Sequence, residues 1–121
     1  MHTTTIKVDE SMTASSMGSG DLPVFATPAM IALMENAAML AAAPKLKEGE
    51  TTVGGFIECT HLKPCAVGSE VTATAVLRKV DGAALHFDIT AYCNEKPIGE
   101  AHHIRYIVDR QRFMSKLKIE N

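Results

Sequence analysis

The 121-residue chain predicts an α+β fold in which an antiparallel β-sheet is wrapped around one long central helix. Residues 28–43, PAMIALMENAAMLAAA, are almost wholly apolar and rich in good helix formers. Four β-rich segments follow, at 51–62, 70–80, 84–93 and 98–109, separated by turn signals. One helix cannot cover both faces of such a sheet, but the sheet can enclose it.

In chain order, TTIKV at 4–8 is β-branched enough for a short strand. Residues 11–26 are mixed, with GSGDLP at 18–23 marking a loop. Thr27 followed by Pro28 predicts a helix start, with Thr27 as N-cap and Pro28 at the first helical position. The helix ends at Pro44, with Lys45 and Lys47 beyond it, and being apolar nearly all round it is expected to be buried. Gly54-Gly55, inside the strand TTVGGFIECTHL, marks a bulge or a close backbone approach. KPCAVGS turns the chain into EVTATAVLRKV, and Asp81-Gly82 signals a hairpin. ALHFDITAYC alternates, with Leu85, Phe87, Ile89, Ala91 and Cys93 on one face and His86, Asp88, Thr90 and Tyr92 on the other. Asn94 to Pro97 turn again into the last strand, and RQRFMSKLK (110–118) predicts a basic amphipathic tail helix. No repeat or linker divides the chain, so one domain over 1–121 is expected. The sheet edge needs cover, and pairing with a second copy supplies it; a homodimer is expected, with a dimer of dimers left open.

Composition excludes several classes. With 46% apolar and 21% charged residues, a net charge of −2 and scattered basic residues, the chain carries no electrostatic footprint for nucleic acid. Cys59, Cys65 and Cys93 are odd in number and lack metal-type spacing, so disulfides are not expected and a reducing compartment is. The N-terminal MHTTTIKVDESM has no apolar core for a signal peptide, and the run at 28–43 is too short to span a bilayer. The expectation is a cytoplasmic protein with no membrane partner.

The chemistry centres on Glu35, which with Asn36 supplies the only polar side chains in that apolar run. On a helix its neighbours one turn away are Ile31, Ala32, Ala38 and Met39, none able to pair with a carboxylate. A carboxylate so placed needs a partner, a shifted pKa or a chemical task. Thr27 at the helix start and His61 at a strand end add a hydroxyl and an imidazole, which together suit acyl transfer. Backbone N–H groups near Gly54-Gly55 could hold an oxyanion. Each has a plainer alternative: an ordinary cap for Thr27, a remote ion pair for Glu35, a structural histidine for His61 and a simple bulge for the glycines. Arg105, between Ile104 and Tyr106, is a solvated strand charge, an anion contact or the partner of Glu35. His102 and His103 are adjacent on a strand and point to opposite faces, so no metal site is read from them, and no cofactor is expected. The methionines at 30, 34 and 39 pack the core or line an acyl pocket.

These residues carry a resemblance. VFATPAMIALMENAAM (24–39), TTVGGFIECTHLKPCAVGSEVTATAVL (51–77) and IGEAHHIRYIVDRQRF (98–113) resemble the hotdog-fold thioesterases of the fluoroacetyl-CoA thioesterase-like group, over nearly the whole chain. The resemblance implies a homodimeric hotdog domain that hydrolyses an acyl-CoA thioester to a free acid and CoA. It places the catalytic threonine on Thr27, the carboxylate on Glu35 and the histidine on His61. It places substrate contacts on Gly54, with Gly55 beside it, and on Arg105. Lys63, Arg110 and Arg112 are candidates for the CoA phosphates. Fluoroacetyl-CoA specialists carry a phenylalanine-bearing lid before the threonine segment; here MGSGDLPV is small and polar until Phe25, so that specificity is not implied. The alternatives are a hotdog acyl-CoA hydratase or dehydratase, for which no additional His/Asp or His/Glu motif is found, and a non-catalytic acyl-thioester-binding dimer.

Overall fold

A computed structural model describes residues 1–117. The sheet is antiparallel throughout, in the order β1-β3-β4-β5-β2, with β1 at His2–Lys7, β2 at Glu50–His61, β3 at Glu70–Asp81, β4 at Ala84–Cys93 and β5 at Lys96–Asp109. It curls about the helix α2, Thr27–Ala42, which is the expected hotdog arrangement. A four-residue helix α1, Ala14–Met17, lies in the stretch read as mixed; Thr13 caps it and Gly18 ends it in the left-handed region at φ 78°. The tail helix α3 runs Arg110–Ser115, with Asp109 accepting from the Arg112 N–H at its start. Lys118, which the expected tail helix included, lies outside the described residues.

Two turns tighten relative to expectation. The β3–β4 loop is Gly82-Ala83, with Asp81 paired to Ala84, and Gly82 supplies the positive φ of 59° that the hairpin needs. The β4–β5 loop is only Asn94-Glu95, both at positive φ, and Cys93 already pairs with Lys96. Pro97 therefore sits inside β5, where β2 has ended (its last pair is His61 with Gly99) and no ladder donor is required.

The core joins one face of α2 to the inner face of the sheet. Met30, Leu33, Met34, Ala37, Ala38 and Ala42 pack against Val71, Ala73 and Ala75 of β3, and Leu85, Phe87, Ile89 and Ala91 of β4. Met30 and Met34 are wholly buried, and each such side chain stabilises the fold by about 1.5–3 kcal/mol. Small residues let helix and sheet approach: a Cβ on Gly99 would stand 2.6 Å from the Met30 sulfur. Burial all round the helix, however, is not what the chain has. Met39 and Leu40 are each 39% exposed and Ala32 is also exposed, because the curled sheet covers only one side.

The cysteines require a second correction. Cys65 and Cys93 form a disulfide that ties the loop after β2 to the end of β4, leaving Cys59 as the free thiol. Sequence spacing could not reveal this, since the pair is 28 residues apart and meets only when the two ends converge.

Candidate active site

Thr27 does not cap α2. The N-cap is Ala26, in extended conformation and without a side-chain bond, and Thr27 occupies the first helical position beside Pro28. Its hydroxyl is thereby released from backbone duty and lies 2.7 Å from Nδ1 of His61. Local pairing builds this contact. The Phe25 N–H donates to the Cys65 carbonyl and the Ala26 N–H to the Met12 carbonyl, and Val24 bridges Ala66. The chain entering α2 is thus pinned to the loop leaving β2, which sets Thr27 against the last residue of that strand.

His61 Nε2 is buried and has no hydrogen-bond partner. Burial lowers the imidazole's pKa, offset in part by the nearby Lys63 backbone, so the neutral ring is favoured. A pocket of about 320 Å³ opens on this pair, lined also by Val24, Phe25, Leu62 and Lys63. The region before Thr27 closes no aromatic over it: Leu22 is 63% exposed, and Phe25 is buried beneath.

Glu35 belongs to a second cluster. It lies eight residues further along the helix, roughly 12 Å of rise from Thr27. A Cβ on Gly54 would stand 3.1 Å from Glu35 Oε2, 3.2 Å from the His103 ring and 3.5 Å from Arg105 Nη1. Arg105 is buried; its Nε donates to Thr52 Oγ1 at 2.8 Å and its Nη2 to the Thr52 carbonyl at 3.1 Å. Burial lowers the Arg105 pKa and the Glu35 carboxylate opposes that shift. The two make no salt bridge; among the described residues the ion pairs are Arg78–Asp88 and His102–Asp88. Arg105 is therefore not a solvated strand charge, and Glu35 is near it without a closed pair.

The structure thus brings Thr27 to His61, and Glu35 to Gly54 and Arg105, but does not gather all of them at one point within one chain. Gly54 and His61 are seven residues apart on β2, about 23 Å in an extended strand. Gly55 faces away from the cluster: the register shift between Gly54 and Phe56 makes a bulge there, and a Cβ on Gly55 would overlap the Tyr106 ring. His103, passed over in the sequence because it neighbours His102, is the residue that sequence reasoning missed. The two do point apart, His102 outward to Asp88 and His103 into the cluster. The usable signal was its two-residue spacing from Arg105, which puts both on the inner face of β5. Among the described residues no three His, Cys, Asp or Glu side chains form a metal-ligand cluster, and no helix is long and apolar enough to cross a membrane.

Residues 8–111 match the sequence profile of the fluoroacetyl-CoA-specific thioesterases. The chain belongs to that family. It is a hotdog-fold acyl-CoA thioesterase, a thioester hydrolase. The chain is 38% identical over 95 residues to the fluoroacetyl-CoA thioesterase of Streptantibioticus cattleyicolor, covering 78% of this chain and 68% of that one. It superposes on a point variant of the fluoroacetyl-CoA-specific thioesterase in complex with fluoroacetate and CoA with a TM-score of 0.90, at 32% identity, over 97% of this chain and 96% of that one. A hot-dog-like protein from Thermanaerovibrio acidaminovorans shares the fold at 24% identity, with a TM-score of 0.83 over 98% and 90% of the two chains.

Proposed function

We propose that this thioesterase cleaves its acyl-CoA at a site shared by two copies of the chain, with Thr27, Glu35 and His61 as catalytic residues and Gly54 and Arg105 as substrate contacts. The observation that carries the reading is the 2.7 Å contact between the uncapped Thr27 hydroxyl and His61 Nδ1. A neutral His61 accepts the Thr27 proton as Oγ1 attacks the thioester carbonyl carbon; where Thr27 instead holds a water, the water attacks and its proton passes through the Thr27 hydroxyl to His61. The carbonyl oxygen takes up the negative charge near the N-terminus of α2, whose dipole favours it. When the C–S bond breaks, the departing thiolate recovers the proton from His61.

Glu35, Gly54 and Arg105 reach this chemistry across a dimer. β2 is a long edge strand whose outer side is unpaired, and Phe56 on it is 48% exposed. Such an edge calls for a partner strand. Antiparallel pairing of β2 with its copy runs the two strands in opposite directions, so that the Gly54 end of one lies toward the His61 end of the other. Glu35 then acts as base toward the water that releases the acid, and the Gly54 N–H holds the oxyanion. The same pairing carries the start of the partner's β2, where the Arg110 N–H bonds the Gly49 carbonyl, toward Lys63, so that Lys63, Arg110 and Arg112 converge on the CoA phosphates. It also supports cover for Met39 and Ala32 by the second helix. Fluoroacetyl-CoA as the preferred substrate is not part of this reading, given the small polar stretch before Thr27. A cytoplasmic location accords with a CoA-linked substrate, but the Cys65–Cys93 pair withdraws the cysteine argument for it.

A panel of short, branched, aromatic and long acyl-CoAs, read by release of free thiol, tests the reading. Turnover on at least one, lost in Thr27→Ala and His61→Ala, is the expected result; wild-type rates in both variants would refute the site.

A further inference from the structure

His103 takes no part in the mechanism above, yet it is a titratable side chain only 1% exposed. Its Nδ1 lies 2.7 Å from the Phe56 carbonyl oxygen, and its Nε2 lies 3.2 Å from Arg105 Nη1. A carbonyl only accepts and a guanidinium only donates, so Nδ1 carries the proton and Nε2 presents a lone pair. A second proton on the ring would set N–H against N–H. The charged groups facing the imidazole are Arg105 on its own strand and Glu35 from α2; β2 offers the Phe56 carbonyl, and the neighbouring β4 residues Leu85 and Phe87 are uncharged. Burial lowers the ring's pKa, with Arg105 adding to it, against the opposing effects of the Phe56 carbonyl and Glu35.

The ring therefore spans two features of the cluster. At one end is the β2 bulge, between Gly54 and Phe56. At the other is a planar guanidinium bonded on its Nε and Nη2 edge by Thr52, with His103 accepting from Nη1 on the opposite edge and so completing its set of partners. We propose that His103 is a positioning residue: its neutral imidazole accepts from Arg105 Nη1 and, opposite the Thr52 bonds, holds the charged guanidinium against Gly54 for the acyl-thioester. This deepens the proposed function and rests on its assignment of Arg105 as a substrate contact.

Two substitutions separate the ends of the ring. His103→Asn keeps a donor for the Phe56 carbonyl but offers nothing to Arg105; His103→Gln carries an amide oxygen to the Nε2 position and keeps an acceptor for the guanidinium. Measured in the full-length protein, with an acyl-CoA that the wild type turns over, His103→Asn is expected to lower kcat/KM about tenfold. His103→Gln should stay within about threefold of wild type, because the bond to the charged group is retained. On an Arg105→Lys background His103→Asn should add little, since both act through one interaction. Equal losses in Asn and Gln, no loss in Asn, or full additivity with Arg105→Lys would each overturn the proposal. Imidazole ¹⁵N NMR on the wild type decides independently of how the variants fold: protonated Nδ1 with bare Nε2 is expected, and the opposite tautomer excludes the geometry. Arg105→Lys alone at wild-type kcat/KM would instead refute the assignment of Arg105, a different failure from an inert His103→Asn.

Discussion

The first turn of α2 and its middle hold the same kinds of group under opposite conditions. At the first turn, Thr27 and His61 meet in an open pocket, and the imidazole still has a buried Nε2 without a partner. At mid-helix, His103 and Arg105 are almost sealed, and His103 uses both ring nitrogens. The open pair presents the exposed Thr27 hydroxyl to the pocket, where a substrate can reach it; the sealed cluster spends its capacity on bonds to Arg105 and the bulge. A reacting group must change partners during turnover, whereas a group that orients another must not. The two histidines differ in that respect as well as in burial.

The largest effect expected from breaking this contrast is at the open pair. Thr27→Ala and His61→Ala should each lower kcat by about 10²–10⁴ with little change in melting temperature, read by thiol release and calorimetry. Glu35→Gln should cost on the order of 10² if the carboxylate reaches the reaction. A wild-type rate would make the mid-helix cluster purely structural.

Co-expression of Thr27→Ala and Glu35→Gln copies sharpens the comparison further. If the two regions meet only across a dimer, each mixed dimer keeps one intact site, and about a quarter of the activity should return. No recovery would place both regions of a site in one protomer.

Gly54→Ala should be milder, destabilising by about 1 kcal/mol as the new methyl meets Glu35 Oε2 at 3.1 Å and the His103 ring at 3.2 Å. The smallest effect is pH-linked. His103 has a folded pKa below the ordinary 6.5, so between the two values the unfolded chain binds the extra proton. Its contribution to stability is complete above about pH 6.5 and is lost as the pH falls from there toward the folded value. Melting temperature should decline over that window in wild type and decline less in His103→Gln.

Much of this architecture is legible in the sequence. The apolar run at 28–43, the alternation at 84–93 and the Gly54-Gly55 bulge correspond to α2, β4 and the register shift in β2. These are local signals: periodicity and turn chemistry act over a few residues. The errors share a different cause. Thr27 has the composition of an N-cap, but pairing of Val24 and Phe25 with the loop after β2 starts the helix one residue earlier and hands its hydroxyl to His61. Cys65 and Cys93 look unpaired because nothing in their spacing reveals that a loop and a strand end converge.

Sequence alone therefore determined the kinds of group available: a hydroxyl at a helix start, a carboxylate in an apolar helix, an imidazole at a strand end, and a chain whose motifs resemble one thioesterase family. Those follow from side-chain chemistry and short-range periodicity. Which groups touch was decided only by tertiary structure. Strand register joins Gly54 to Arg105 and brings His103 beneath them, while the separation of Gly54 from His61 along β2 divides the site residues into two clusters. Register depends on contacts between residues some fifty positions apart, and no local pattern encodes that distance.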